Sequence, residues 1–229
     1  MQCGGDGTVN RVLNAIINTK NYLGVIPVGT GNDFYKVLDQ SGEIYTKVDV
    51  GKINEKYFIN TACVGIDADV ANNSKFIRSK LIPIKQRYNA SVIYTFFKYK
   101  NKSLELSCEG HEKDGKFTTI AICNGRYYGS GYNIAPTSKY DDGLFDVYYA
   151  YNLKKRLLPS LILKMKKGEH EDSPYITKIQ TNEIHIESKE TIVCNIDGEE
   201  IKDNVFNIRL LPKAITIYFN KELIDKILI

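Results

Sequence analysis

Gly4-Gly5-Asp6-Gly7-Thr8-Val9-Asn10 stands at the start of the chain, and Val9, Val12, Leu13, Ile16 and Ile17 continue it with the spacing of one buried helix face. Adjacent glycines let a backbone approach a bulky anion, and the amides of a turn that leads into a helix N-terminus point at that anion. The layout is that of a phosphate cradle. Asp6 cannot itself attract phosphate, so its place there suits a carboxylate holding Mg²⁺ that bridges to nucleotide oxygens. An isolated glycine pair is as readily a plain strand-to-helix turn. The second glycine turn, Pro27-Val28-Gly29-Thr30-Gly31-Asn32-Asp33-Phe34, favours the cradle. Between the two, Leu23 to Val28 reads as a short buried strand, completing half of an α/β unit whose ligand sits at the carboxyl ends of parallel strands. Such a unit needs a strand running into Gly4, where only Met1-Gln2-Cys3 stand.

The chain's 229 residues, 43% of them hydrophobic, are enough for one large or two small domains around a sizeable core. No segment approaches the apolar length needed to cross a bilayer, and the N-terminus has neither a basic start nor an apolar signal core; the expectation is a cytoplasmic protein. Cys3, Cys63, Cys108, Cys123 and Cys194 are scattered, without metal-ligand spacing, and read as reduced core residues. The net charge of +4 is uninformative, but two basic clusters stand out. One holds Lys75, Arg78, Lys80, Lys85 and Arg87; the other holds Lys154, Lys155, Arg156, Lys164, Lys166 and Lys167. Such runs are usually solvated helix faces, yet beside an anionic leaflet each cation adds about 1 kcal/mol of attraction. No nucleic-acid module surrounds them, so no nucleic-acid partner is expected.

From Lys47 the texture changes. Val48 to Val50 and Tyr57 to Ala62 read as strands, the stretch from Val64 to Asn72 could open a helix, and Ser74 to Lys102 is basic and aromatic, helical in its second half with Pro83 interrupting the first. Two-residue alternation then dominates, at Leu104, Leu106 and Cys108 and at Phe145, Val147, Tyr149 and Tyr151, with Asp114-Gly115 as a hairpin turn signal. Leu153 to Lys167 inserts one amphipathic helix capped by Gly168; Val205 to Leu211 and Ile215 to Phe219 return to strand, and Lys221 to Leu228 forms a last helix. The fold class expected is α/β plus β: a truncated Rossmann-like nucleotide domain over residues 1–46, rejoined by about 212–229, and an antiparallel β-sandwich domain over 47–211.

Gly-Gly-Asp-Gly-Thr and Gly-Thr-Gly-Asn-Asp-Phe at this separation resemble the lipid kinase family that includes the diacylglycerol kinases, in its bacterial soluble branch. The resemblance runs from Gly4 nearly to the C-terminus and implies ATP as phosphoryl donor, bound by Gly4, Gly5, Asp6, Gly7, Thr8, Asn10 and Thr30. It implies a lipid hydroxyl as acceptor, diacylglycerol first, and peripheral contact with an anionic membrane. Read bare, the segment from Lys139 through Tyr140-Asp141-Asp142-Gly143 to Leu144 is a polar turn. The family likeness makes it a Mg²⁺ site, with backbone carbonyls of Lys139 and Leu144 and the carboxylate of Asp142 as ligands. Asp197-Gly198-Glu199, an ordinary hairpin turn by itself, matches the motif whose carboxylate accepts the proton of the lipid hydroxyl; Asp197 and Glu199 both stay open for that role. Asp33 and Asp67 join Asp6 as members of an acidic network about the catalytic Mg²⁺. His111, His170 and His185 form no constellation, and no hydrolase pattern is present.

Full-length relatives begin with further strand and helix units, so a truncated nucleotide domain exposing a sheet edge is expected, and with it a homodimer that covers the exposed face. Two alternatives follow: a catalytically inactive lipid-binding module, and an NAD kinase. The latter shares Gly-Gly-Asp-Gly-Thr but is disfavoured by the Gly29 to Phe34 and Asp197 to Glu199 motifs.

Overall fold

The computed structural model describes residues 2–29, 31–41, 44–66, 95, 99–129 and 131–228. Thr30, Asp67 and most of the 74–102 segment, with its basic cluster, lie outside the described residues. The chain begins with β1 (Gln2–Gly4), α1 (Asp6–Ile16), β2 (Leu23–Pro27) and α2 (Asp33–Ser41). The strand that the first glycine turn requires is present: Gln2, Cys3 and Gly4 pair in parallel with Val25, Ile26 and Pro27. Three residues are too few to show a strand pattern in sequence. Both strands end in a glycine turn, at the same edge and side by side.

The strands that follow are β3 (Tyr45–Ile53), β4 (Lys56–Phe58), β5 (Thr61–Gly65), β6 (Lys102–Cys108), β7 (His111–Cys123), β8 (Tyr127–Tyr128) and β9 (Tyr132–Asn133). Next come β10 (Phe145–Tyr151), α3 (Leu158–Lys167), β11 (Thr177–Thr181), β12 (Glu183–Ile196), β13 (Glu199–Tyr218) and α4 (Lys221–Leu228). A one-turn 3₁₀ segment, Lys155–Leu157, precedes α3, and Gly168 ends it at φ +77° as the left-handed cap. Apart from the β1–β2 and β2–β13 contacts the pairings are antiparallel. β5 and β6 lie end to end in one slot, each pairing with both β7 and β12.

Asp114-Gly115 is not a turn. β6 and β7 pair from Cys108 and His111 outward, so the two-residue turn is Glu109-Gly110, with Gly110 at φ +71°. Gly115 instead sits inside β7 opposite Leu104, where a Cβ would strike the Tyr151 hydroxyl. An aspartate–glycine pair answers here to a crowding side chain rather than to a reversal.

Two cores form. Phe58, Phe117, Ile122, Phe145, Ile186 and Phe206 belong to one, between the layers of the β half. Val9, Leu13, Leu23, Phe34, Val48, Val50, Ile217 and Phe219 belong to the other, under α1 and α2. β3 and β13 contribute to both, because β13 runs antiparallel to β3 from Ile208 to Tyr218 and reaches β2 in parallel at Ile217 and Tyr218. The fold is an α/β nucleotide-type unit joined to a β-sandwich. Cys63, Cys123 and Cys194 are buried free thiols, as expected of core cysteines, whereas Cys3 is exposed on the short β1.

Candidate active site

Because β1 and β2 are neighbours, the turns that follow them touch. A Cβ on Gly29 would overlap the Gly5 backbone, one on Gly5 would come within 3.2 Å of Gly29 Cα, and one on Gly4 would overlap the Thr8 side chain. Glycine is required here by close approach of two backbones. Asn32, at φ +53°, closes the second turn by accepting the Gly29 N–H (3.1 Å) and donating to the Gly29 carbonyl (2.9 Å). The turns are locked together by Asp6, whose two carboxylate oxygens accept the N–H groups of Asp33 and Phe34, each at 3.1 Å. Asp6 thus opens α1 and caps α2. Asp33 is buried, and Lys36 reaches its Oδ1 at 2.8 Å. Burial, and then the charge of Asp33, raise the Asp6 pKa above its ordinary value. Asp6, desolvated beside a second buried carboxylate, offers oxygen donors that suit a hard cation such as Mg²⁺, while Asp33 is already paired with Lys36.

The other side of the site comes from the β12–β13 hairpin. Asp197 and Gly198, at φ +48° and +91°, form its two-residue turn, with both central residues left-handed as a type I′ turn requires. The Asp197 carboxylate points inward. It accepts the N–H groups of Ile59 (2.7 Å), Asn60 (3.0 Å) and Thr61 (2.9 Å), and Asn10 Nδ2 donates to it at 3.2 Å. Burial outweighs these four donors and pushes its pKa up to about 6. Glu199 points the other way, towards α1: Arg11 donates to its Oε1 from Nη2 (2.8 Å) and Nε (3.2 Å), and that oxygen lies 3.7 Å from where a Cβ on Gly7 would stand. The structure therefore brings Gly4 to Asn10, Asp33, Asp197 and Glu199 together, though they are far apart in sequence.

The loop from Lys139 to Leu144 is fastened to β3 by Asp49, which is fully buried. Its N–H donates to the Tyr140 carbonyl (2.6 Å), and its carboxylate accepts the N–H groups of Gly143 (2.8 Å) and Lys213 (2.6 Å). Asp142 accepts the Leu144 N–H at 3.2 Å, and burial together with Asp146, Asp49 and Asp141 raises its pKa. Tyr140 meets Phe34 edge to ring, 6.5 Å between centroids, so this loop borders the start of α2. Carbonyl and carboxylate oxygens among several acids suit Mg²⁺ in donor chemistry. Among the described residues no three His, Cys, Asp or Glu side chains gather as a metal cage.

Arg11, Asp49 and Tyr57 carry no role in the sequence reading, and Asn124 enters it only as the start of a glycine-rich loop. Asn124 donates to the carbonyls of Asp49 (2.9 Å) and Ile59 (2.7 Å), and Tyr57 supplies its carbonyl to Asn10 at 2.8 Å. One turn of helix from Gly7 to Arg11 is a signal that could have found Arg11; buried polar residues in strands carry none. A cavity of about 850 Å³, lined by Lys52, Cys108, His185 and Asn207 among others, lies on the β half and shares no residue with this site.

By fold, then, the chain falls among proteins that join a nucleotide-type α/β unit to a β-sandwich. The family model of the diacylglycerol kinase catalytic domain matches residues 1–57, and that of the YegS C-terminal NAD kinase beta sandwich-like domain matches residues 60–219. The chain belongs to this family, alongside bacterial relatives. It is 26% identical over 229 residues to a protein of Chromohalobacter salexigens named "Probable lipid kinase YegS-like", covering 93% of this chain and 73% of that protein. A diacylglycerol kinase of Staphylococcus epidermidis is 28% identical over 245 residues, covering 97% and 76%. The crystal structure of a candidate diacylglycerol kinase from Bacillus anthracis str. Sterne superposes with a TM-score of 0.75 at 26% identity, over 96% of this chain and 77% of that one.

Proposed function

We propose that this protein is a lipid kinase transferring the γ-phosphoryl group of ATP to a lipid hydroxyl, diacylglycerol being the first acceptor to test. The observation that carries the reading is Glu199: a carboxylate held at a hairpin tip against the first turn of α1, beside the abutting glycine turns. The two domains are proposed to divide at residues 1–46 with 212–229, and 47–211. Phosphoryl transfer asks a protein mainly for positioning, charge neutralisation and a group to orient the hydroxyl and take its proton. The Gly4 to Asn10 segment, with Thr30, would hold the phosphates. Asp6 and Asp33 would hold one Mg²⁺, and Lys139, Asp142 and Leu144 a second; when bound, the catalytic ion neutralises charge on the phosphoryl oxygens. Glu199 takes the proton, because Asp197 is buried with both oxygens committed to main-chain donors. Asp197 is instead a positioning residue, tying Asn10 of α1 to the hairpin that carries Glu199. The relatives are named as lipid kinases, which supports this acceptor class over the NAD kinase alternative.

The test is transfer of labelled phosphate from ATP to a panel of lipids in mixed micelles, by the parent chain and its Glu199→Gln variant. Transfer by the parent, falling about 10²- to 10⁴-fold in the variant with its thermal midpoint unchanged, is the expected result. No transfer to any lipid by folded parent protein would defeat the kinase reading, and vesicle binding without ATP binding would then favour an inactive lipid-binding module.

A further inference from the structure

The helix α1 grips the β12–β13 hairpin through two neighbouring side chains. Asn10, which is buried, donates from Nδ2 to the Asp197 carboxylate and to the Tyr57 carbonyl, fixing the hairpin backbone against the helix. Arg11, on the outer side of the helix, reaches Glu199 instead. The form of this contact differs from the usual one. An arginine facing a carboxylate commonly gives two parallel N–H bonds, one to each oxygen. Here Nη2 at 2.8 Å and Nε at 3.2 Å both donate to Oε1, and Oε2 has no hydrogen-bond partner among the described residues.

Neither helix nor fold stability accounts for the pair. Arg11 stands mid-helix, away from both ends of the dipole, and its neighbours three and four positions away along α1 are Gly7, Thr8, Asn14 and Ala15, none of them acidic. The two side chains are 75% and 36% exposed, and an ion pair so placed adds little to folding. What the contact does restrict is Glu199 itself. A glutamate carboxylate sits at the end of three rotatable bonds, and among the described residues Arg11 is the one side chain that holds this one. Held in this way, Oε1 faces the first turn of α1 at Gly7, 3.7 Å from where a Cβ would stand.

We propose that Arg11 is a positioning residue, clamping Glu199 by Oε1 so that Oε2 is presented to the acceptor hydroxyl. The inference deepens the lipid-kinase reading and rests on it, since Glu199 is a base only in that reaction. In the transfer the O–H bond of the hydroxyl breaks and its proton passes to Oε2. The hydroxyl oxygen bonds to phosphorus, and ADP leaves with the electron pair of the broken phosphorus–oxygen bond. Glu199 is exposed enough to hand the proton on to water. Arg11 and the residues that open α1 at Asp6 to Thr8 belong to one helix, so the clamp also sets the distance from the base to the proposed phosphate cradle. The two cannot drift apart without breaking the pair.

The experiment is steady-state phosphate transfer from ATP to the lipid panel in mixed micelles, by the parent, Arg11→Ala, Arg11→Lys, Glu199→Gln and the double variant Arg11→Ala, Glu199→Gln. Arg11→Ala is expected to lose about 10- to 100-fold in kcat, with KM for ATP within about twofold of the parent's. Its thermal midpoint should fall by no more than about 4 °C, as suits an exposed pair. Arg11→Lys keeps the charge without the two-donor edge and should recover only part of the loss. In the Glu199→Gln background, Arg11→Ala should cost less than about twofold more, because it acts through the carboxylate. A folded Arg11→Ala protein with the parent's kcat overturns the proposal, and so does full activity in Arg11→Lys, which would make charge alone sufficient. A loss confined to KM for ATP would place Arg11 on the nucleotide instead, and fully additive losses in the double variant would show that it does not act through Glu199; either result defeats the clamp. A parent that phosphorylates no lipid takes down the kinase reading and the clamp together, whereas an active parent indifferent to Arg11 removes the clamp alone.

Discussion

Asp197 and Glu199 are two residues apart, chemically alike, and assigned by the fold to different work. A type I′ turn sends Asp197 into the protein among three main-chain N–H groups and Glu199 out towards α1. The pKa of Asp197, raised by burial from 3.8 to about 6, makes the separation measurable. In the unfolded chain the carboxyl loses its proton near 3.8, whereas in the folded protein it keeps it to about 6. The folded state therefore binds more protons across that window, and the contribution of Asp197 to stability, fully present below the unfolded value, is lost as pH rises through the folded one. The gap corresponds to about 3 kcal/mol. Denaturant unfolding from pH 4 to pH 6.5 should show this fall in the parent, and Asp197→Asn, less stable throughout, should lack it; parallel profiles would count against a raised pKa. That carboxylates flank Gly198 is plain in the sequence, and so is their catalytic potential. Which of them stands against the first turns of α1 is not, because it depends on the hand of one turn.

At the scale of elements, the two glycine turns are the most legible feature of the chain, and their mutual contact the least. Glycine-rich turns before helices are visible as spacing. That Gly29 lies against Gly5 follows from the parallel pairing of β1 and β2, a three-residue register that no local pattern announces. Gly29→Ala would place a methyl group in the Gly5 backbone, so the turns must separate. A loss of about 1–3 kcal/mol in stability and at least tenfold in affinity for a non-hydrolysable ATP analogue is expected, from thermal melts and calorimetric titration. Unchanged affinity would mean that the cradle is not where nucleotide binds. Asp6 shows the same limit: its place in the first turn is visible in sequence, but its capping of α2 joins residues 27 and 28 positions away. Asp6→Ala should abolish turnover and cost about 0.5–2 kcal/mol as a lost cap. Substantial activity in a folded Asp6→Ala protein would take Asp6 out of the mechanism.

Across the whole molecule, the division into an α/β part and a β part could be read from the change in periodicity, but the way the parts are joined could not. Val205 to Leu211 and Ile215 to Phe219 read as separate strands around Pro212 and Lys213. In the structure both segments belong to β13, with a register shift against β3 between Leu211 and Ile215 and Lys213 at φ +49°. The irregularity is held by Asp49, an ordinary-looking aspartate in β3, which accepts the Lys213 N–H with one oxygen and the Gly143 N–H with the other. Val48 and Val50 on either side of it belong to the α/β core, while Ile53 and Leu210 belong to the β core. One buried carboxylate thus joins β3, β13 and the 139–144 loop where the two cores meet. Two cores sharing β3 and β13 should unfold together. Calorimetry and tyrosine fluorescence are expected to report a single coincident transition in the parent. Removing the carboxylate in Asp49→Ala strands two main-chain donors in a buried place, each costing about 1–3 kcal/mol, and so should lower that one transition rather than split it. Two resolved transitions in the parent would show that β3 and β13 do not couple the halves; a variant as stable as the parent would show that Asp49 does not hold the seam.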